Sequence, residues 1–186
     1  MAGPVAKLYA IDTSSLIEGW QFTYPPDVFP GVWTQLQELA ESGRLIASEE
    51  VLHELKRKAD ALYAWARGLK AMFVPHDEEI QKAVREILKD HRNLLNSKKG
   101  KSGADPFVVA VAVVKKCDVV THERRTGDLK NHPKIPDVCD VLGIRYLSLT
   151  TLLREQGLVL ERRQERAAPL KETSQASLSK VESKER

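Results

Sequence analysis

Five short apolar segments alternate with longer helical segments along this chain, and that alternation most restricts its fold. The apolar segments cover residues 8–11, 45–47, 72–74, 118–121 and 144–147. Each has the length of a strand buried on both faces and is too short for a helix with its own caps. Strands that alternate with helices predict a three-layer α/β domain with a central parallel sheet of four to five strands.

The segments between the strands have apolar residues at helical spacing. The clearest stripe runs from Val51 to Leu69, and a second amphipathic helix is predicted to run through Ile80 and His91 to Leu95. His91 lies on the apolar face of that helix. It is interpreted as a core or boundary residue, because no second His or Cys stands at metal-ligand spacing. Residues 107–114 could form a strand, but Asp105 as a cap before Pro106 favours a helix.

The length and composition are those of one domain with an extension. With 186 residues, 42% of them hydrophobic, the chain can bury one sizeable core, predicted for residues 1–160. Residues 161–186 lose apolar content and are expected to form a charged, disordered tail. Two cysteines and no apolar leader predict a cytoplasmic protein, and the longest apolar stretch, residues 106–114, is too short to span a membrane.

The charge is distributed unevenly. The formal net charge is +3, but residues 161–186 hold seven Lys or Arg and five Glu, which leaves 22 basic and 21 acidic residues in the rest. Attraction to nucleic acid must therefore come from local clusters. The clearest cluster comprises Lys98, Lys99 and Lys101, in a loop with two glycines.

Acidic residues stand where predicted elements begin or end. Asp12 ends the first strand, and the carboxyl ends of parallel strands face the crevice in which ligands bind. Ser14 and its neighbours can donate hydrogen bonds that hold the Asp12 carboxylate ionised, although Asp12 could also merely cap the next helix. Glu54 borders an apolar stripe, whereas Glu50 lies further toward solvent. Together with Asp105 and Glu123, these carboxylates are the oxygen donors that Mg²⁺ or Mn²⁺ prefers.

Four motifs in this order resemble the PIN-domain family of metal-dependent nucleases over residues 7–155. They are YAIDTSSLI, ASEEVLHEL, GADPFVVAVA and DVVTHE. The resemblance implies a PIN-like fold and an Mg²⁺- or Mn²⁺-dependent endoribonuclease that hydrolyses phosphodiesters with metal-activated water. Sequence alone excludes a zinc-protease helix, because Arg57 stands where the second histidine would be.

The resemblance also implies roles for individual residues. The catalytic and metal-binding acids would be Asp12, Glu54, Asp105 and Glu123. The supporting residues would be Ser14 and Thr121, with Glu50 as the alternative second acid. The candidate RNA contacts are Lys98, Lys99, Lys101, Arg124 and Arg125. Glu123 departs from the family pattern, because that position is often aspartate and the glutamate is one methylene longer.

The resemblance suggests partners as well. The smallest family members resemble toxins of bacterial toxin–antitoxin pairs, which implies an RNA substrate, a cognate antitoxin protein and a homodimer. The tail and the segment KIPDVCDVLG extend beyond those members. The rival hypothesis from another class is a catalytically silent PIN-like scaffold that binds RNA or a partner protein.

Overall fold

A five-stranded parallel sheet forms the centre of the protein, in a computed structural model that describes residues 7–58, 60–95 and 103–158. The strands are β1 (Tyr9–Ile11), β2 (Leu45–Ser48), β3 (Phe73–Val74), β4 (Asp118–Val120) and β5 (Tyr146–Leu147). Their order is β3-β2-β1-β4-β5, so the first strand is central. In β1, Ile11 pairs with Val120 of β4. The predicted parallel α/β architecture is confirmed.

Eight α-helices flank the sheet within the described residues. They are α1 (Thr13–Glu18), α2 (Pro30–Glu41), α3 (Glu49–Lys58), α4 (Asp60–Gly68), α5 (Glu78–Asp90), α6 (Asp105–Lys115), α7 (Ile135–Leu142) and α8 (Leu149–Glu155). The chain moves from β1 outward to β3 and then crosses back to β4 and β5. Because such crossovers are right-handed, this path places helices on both faces of the sheet.

The ambiguous segment at residues 107–114 is part of helix α6. Its side chains from Val108 to Ala112 are all buried, which explains why the sequence is apolar without a clear stripe. The predicted cap is displaced by one residue, because Ala104 occupies the N-cap position and Asp105 is the first helical residue. An N-terminal aspartate is favoured in either position, so the sequence signal does not separate the two.

Two predicted helices differ in extent from those in the structure. The stripe from Val51 to Leu69 is divided between α3 and α4, and its described buried members include Leu55 and Leu62. Helix α5 ends at Asp90 rather than continuing to Leu95, and a 3₁₀ turn (Arg92–Leu95) follows. His91 lies at the junction and is buried, as predicted.

Three tryptophans fix the helices that follow β1. The ring centroids of Trp20 and Trp33 are 4.5 Å apart, and those of Trp33 and Trp65 are 5.1 Å apart, both in edge-to-face arrangements. The Trp33 indole N–H donates a hydrogen bond to the carbonyl oxygen of Tyr24 at 2.7 Å. This cluster ties the π-helical turn after α1 (Gly19–Thr23) to α2 and α4.

Some predicted features lie outside the described residues. These are Lys98, Lys99, Lys101 and the tail from residue 161 onward. Within the described ranges, no helix combines the length and the apolar character needed to cross a membrane.

Candidate active site

Asp12 leaves the central strand and immediately begins helix α1. Its side chain is only 3% exposed. The Ser15 N–H donates to Oδ1 at 2.7 Å, while the hydroxyls of Ser14 and Thr121 donate to Oδ2 at 2.6 and 2.8 Å. Asp12 is therefore the N-cap of α1 and also lies at the carboxyl edge of the sheet, so the two interpretations of this residue are compatible.

Burial and hydrogen bonding act in opposite directions on Asp12. Burial raises the pKa of this carboxyl, and the hydrogen bonds from Ser14, Ser15 and Thr121 lower it, but the net result is a pKa above the ordinary value. The Ser14 and Thr121 hydroxyls thus lower the pKa of Asp12, as predicted, but burial raises it by more. A cation beside the carboxylate would favour its ionised form.

Glu54 is completely buried and links two of the motifs. Its Oε2 accepts a hydrogen bond from the Thr13 hydroxyl at 2.5 Å, and its Oε1 accepts one from the Ala104 N–H at 3.3 Å. These contacts join the residue after Asp12 to the residue before Asp105. Asp105 itself is 6% exposed in the first turn of α6.

Glu50 occupies a different environment from Glu54. Its side chain is 22% exposed and lies 3.1 Å from the Nδ1 atom of His53, one turn further along α3. A Cβ added at Gly103, two residues before Asp105, would lie 3.6 Å from the Glu50 carboxylate. Among these two acids, Glu54 is the one that bonds to the segments carrying Asp12 and Asp105.

Thr121 connects Asp12 to the fourth acid. Its hydroxyl donates to Asp12 and accepts a hydrogen bond from the Glu123 N–H at 3.1 Å. The Glu123 carboxylate is engaged on both oxygens, because Oε1 lies 2.6 Å from Lys134 Nζ and Oε2 accepts the Ile135 N–H at 3.1 Å. Direct metal binding by Glu123 stays a prediction.

Lys134 is a site residue that the sequence interpretation missed. Burial alone would lower the pKa of its ammonium, but the hydrogen bond and charge of Glu123, followed by the charges of Asp105 and Asp12, raise it above the ordinary value. The Lys134 side chain is 32% exposed. It therefore carries a positive charge among the acids while remaining open to solvent on one side.

Asp137 is a second residue that the sequence interpretation missed. It is 4% exposed, and its carboxylate accepts hydrogen bonds from the backbone N–H groups of Thr126, Gly127 and Lys134 and from the Thr126 hydroxyl, at 2.8 to 3.1 Å. Burial would raise the pKa of Asp137, but these donors lower it below the ordinary value. Asp137 thereby shapes the loop between β4 and α7. Its position three residues after the N-cap of α7 was the sequence signal for this role.

The two arginines predicted to contact RNA follow Glu123 in the same loop. Arg124 is exposed. The Arg125 Nε atom lies 3.0 Å from Asp140, and its side chain is 64% exposed. Both arginine side chains are exposed to solvent, and the three predicted lysines lie outside the described residues.

Hydrogen bonds thus link residues 12 and 13 to the segments that carry the other predicted acids. One chain of bonds runs from the Asp12 carboxylate through the Thr121 hydroxyl to the backbone N–H of Glu123. The other runs from the Thr13 hydroxyl through the Glu54 carboxylate to the backbone N–H of Ala104, the residue before Asp105. A carboxylate offers about four lone-pair sites. Asp12 accepts three hydrogen bonds and Glu54 accepts two, so both carboxylates retain acceptor capacity.

The chemical type of these donors suits a hard divalent cation. The donors are carboxylates at element ends, and such oxygens are the preferred ligands of Mg²⁺ and Mn²⁺. In the described part of the chain, however, no three His, Cys, Asp or Glu side chains are grouped closely enough to hold a metal ion. A metal assignment therefore rests on the type and position of the acids, and not on a preformed coordination sphere.

The chain was compared with solved structures, with curated proteins and with sequence families. The chain is similar to the crystal structure of VapBC2 from Rickettsia felis bound to a DNA fragment from their promoter, with 14% sequence identity and a TM-score of 0.46. That similarity covers 76% of this chain and 98% of the other. No curated protein matches the chain. The family described as "Domain of unknown function (DUF4411)" matches residues 9–160, and the protein therefore belongs to the DUF4411 family.

Proposed function

We propose that this protein is a PIN-type endoribonuclease that hydrolyses RNA with Mg²⁺ or Mn²⁺. The observation that supports the proposal is the set of hydrogen bonds that links the segments carrying the four acids at the carboxyl edge of a parallel sheet, where such folds bind ligands. The order of the four motifs in the sequence supports the same assignment.

Asp12, Glu54 and Asp105 are the residues that we expect to hold the cation. When bound, the metal would activate water and neutralise charge that develops on the phosphorus oxygens. Ser14 and Thr121 hold the Asp12 carboxylate in a single orientation. Arg124 and Arg125 are proposed to contact the RNA backbone, together with the three lysines of the loop 98–101.

The proposed activity predicts a strict dependence on divalent cations. Purified protein should cleave single-stranded RNA with Mg²⁺ or Mn²⁺ and should lose all cleavage when a chelator is added, because no other group in the site is proposed to activate water. Added Mn²⁺ should then restore the rate. Cleavage would be followed on a labelled oligonucleotide, with a DNA oligonucleotide of the same sequence for comparison. Activity that persists in excess chelator would contradict the proposal.

A second candidate function is a catalytically silent PIN-like scaffold. The observation in its favour is that no three acids in the described residues form a group able to hold a metal. The scaffold predicts RNA binding without cleavage under every metal condition, so the same assay separates the two functions.

The resemblance to toxins extends the proposal to partners. We propose an antitoxin protein that blocks the acidic site, and a homodimer as the assembly. A small antitoxin encoded beside this protein would support the toxin class. A nuclease that copurifies with no such partner and is harmless on expression would argue for a different PIN-type role.

A further inference from the structure

Lys134 and Glu123 form a pair at the exposed side of the acidic site. The Lys134 Nζ atom lies 2.6 Å from Glu123 Oε1, and the two side chains are 32% and 14% exposed. The pair is held from both ends. The Ile135 N–H binds the second oxygen of Glu123, and the Lys134 N–H donates to Asp137 at 2.9 Å. The Glu123 carboxylate and the Lys134 backbone are thus fixed by other bonds, and Glu123 in turn positions the Lys134 ammonium.

Lys134 retains hydrogen-bonding capacity in this arrangement. An ammonium group has three donors, and Glu123 is the one acceptor that the described residues provide for it. The side chain is partly open to solvent. Two N–H donors of the Lys134 ammonium thus remain for an oxygen atom of a ligand that approaches from solvent. Glu123 keeps the ammonium in place.

The charge balance of the site calls for such a cation. Four carboxylates repel a phosphodiester unless positive charge compensates them. Lys134 lies within electrostatic reach of Asp12 and Asp105 as well as Glu123. Lysine binds phosphate as a point charge, which suits a ligand whose position is set partly by other contacts.

We propose that Lys134 contacts the scissile phosphate of the RNA, and that Glu123 orients Lys134 instead of acting as a fourth metal ligand. This inference rests on the proposed nuclease function. It makes Lys134 a catalytic residue and Glu123 a positioning residue that acts through it.

The inference is tested with Glu123→Gln, Lys134→Met and the double variant, made in the full chain. Lys134→Met should lower kcat/KM by about 10- to 100-fold, the range for loss of a charge-assisted hydrogen bond. Glu123→Gln should lower it less. Because Glu123 acts through Lys134, the double variant should be no worse than Lys134→Met alone. Lys134→Arg, which keeps the charge, should retain part of the activity.

Titration calorimetry with Mn²⁺ in the absence of RNA provides a readout that does not depend on activity. Lys134→Met should bind Mn²⁺ at least as tightly as the wild type, because it removes a positive charge near the site. Glu123→Gln should keep Mn²⁺ binding with a loss of no more than about a few-fold, because it removes a nearby negative charge but no ligand. Lys89→Met serves as the control, because Lys89 lies on the exposed side of α5 and contacts only Glu86 among the described residues. It should leave kcat/KM and Mn²⁺ binding unchanged.

Several outcomes would overturn the inference. Loss of Mn²⁺ binding in Glu123→Gln would make Glu123 a ligand, and multiplied effects in the double variant would show that the two residues act independently. Melting curves identify variants that fail to fold, and the double variant, which removes both charges, keeps the test valid if Lys134→Met is unstable. A wild type that neither binds Mn²⁺ nor cleaves RNA would contradict the proposed function itself, which is a distinguishable result.

Discussion

Replacing Asp12 by asparagine is expected to lower the rate of RNA cleavage by about 10²- to 10³-fold, as for removal of one electrostatic group from an active site. The protein should stay folded. Asparagine caps a helix about as well as aspartate, so α1 keeps its N-cap. The hydroxyls of Ser14 and Thr121 can accept as well as donate, and therefore can pair with the new amide. The substitution also removes a carboxylate whose burial is unfavourable.

The measurement is a single-turnover cleavage rate with Mn²⁺, together with the melting temperature of each variant. Asp27→Asn is the matched control, because Asp27 is exposed in the connection between the π-helical turn and α2. It should cleave like the wild type. If Asp12→Asn cleaved RNA at the wild-type rate, Asp12 would be a helix cap without a part in the chemistry.

The second large effect is on stability, at Asp137. Asp137→Asn is expected to lower the free energy of unfolding by about 2 to 3 kcal/mol, because an amide nitrogen cannot accept the hydrogen bonds that the lost oxygen accepted. For a domain of this size the melting temperature should fall by about 5 to 10 °C. The affected donors are backbone N–H groups of the loop between β4 and α7, including that of Lys134.

Acidification provides an independent check on Asp137. A carboxyl whose pKa is lowered by folding stabilises the protein above its unfolded pKa of about 3.9, and that contribution is lost as the pH falls through the folded value. The difference in the free energy of unfolding between wild type and Asp137→Asn should therefore be largest near neutral pH and should decrease below about pH 4.

Asp140→Asn is the matched control on the same helix. Asp140 is exposed and pairs with Arg125 at the surface, so its loss should change the free energy of unfolding by less than about 0.5 kcal/mol. An Asp137→Asn variant as stable as this control would contradict the account of the loop.

Much of the fold and part of the candidate site follow from local sequence patterns. The strands are predictable because short apolar runs between caps and glycines have few alternatives. The contact between Thr121 and Asp12 is predictable in principle, because parallel strands place their carboxyl ends together. Ile11 pairs with Val120, and the next residues meet. Ser14 and Ser15 reach Asp12 within one helical turn, so their contacts are local as well.

The contacts of Lys134 and Asp137 with residues 121–127 could not be predicted in the same way, although the bond between Asp137 and the Lys134 N–H is local. Both make their decisive contacts with residues 121–127 through an irregular segment, which has no periodicity from which its path could be inferred. The position of Glu123 after a strand, together with the family resemblance, predicts a metal ligand. It does not reveal the contact with Lys134, which lies eleven residues further along the chain. The predicted N-cap of α6 differs by one residue from the observed one, because cap signals locate a helix end only to within about one or two residues.

We propose that these acids bind a divalent cation. The direct test is the shift in melting temperature when Mn²⁺ is added to wild type and to Asp105→Asn. A cation that binds only the folded state stabilises it by about 2.7 kcal/mol at a hundredfold excess over Kd. That corresponds to a rise of about 5 to 10 °C. Without metal, Asp105→Asn should melt within a few degrees of wild type, because relief of repulsion among the acids offsets the lost attraction to Lys134 and to the α6 N-terminus. The melting temperature of wild type should rise on adding Mn²⁺, and Asp105→Asn should lose most of that rise. No rise in wild type, or an equal rise in both proteins, would contradict the proposed metal binding.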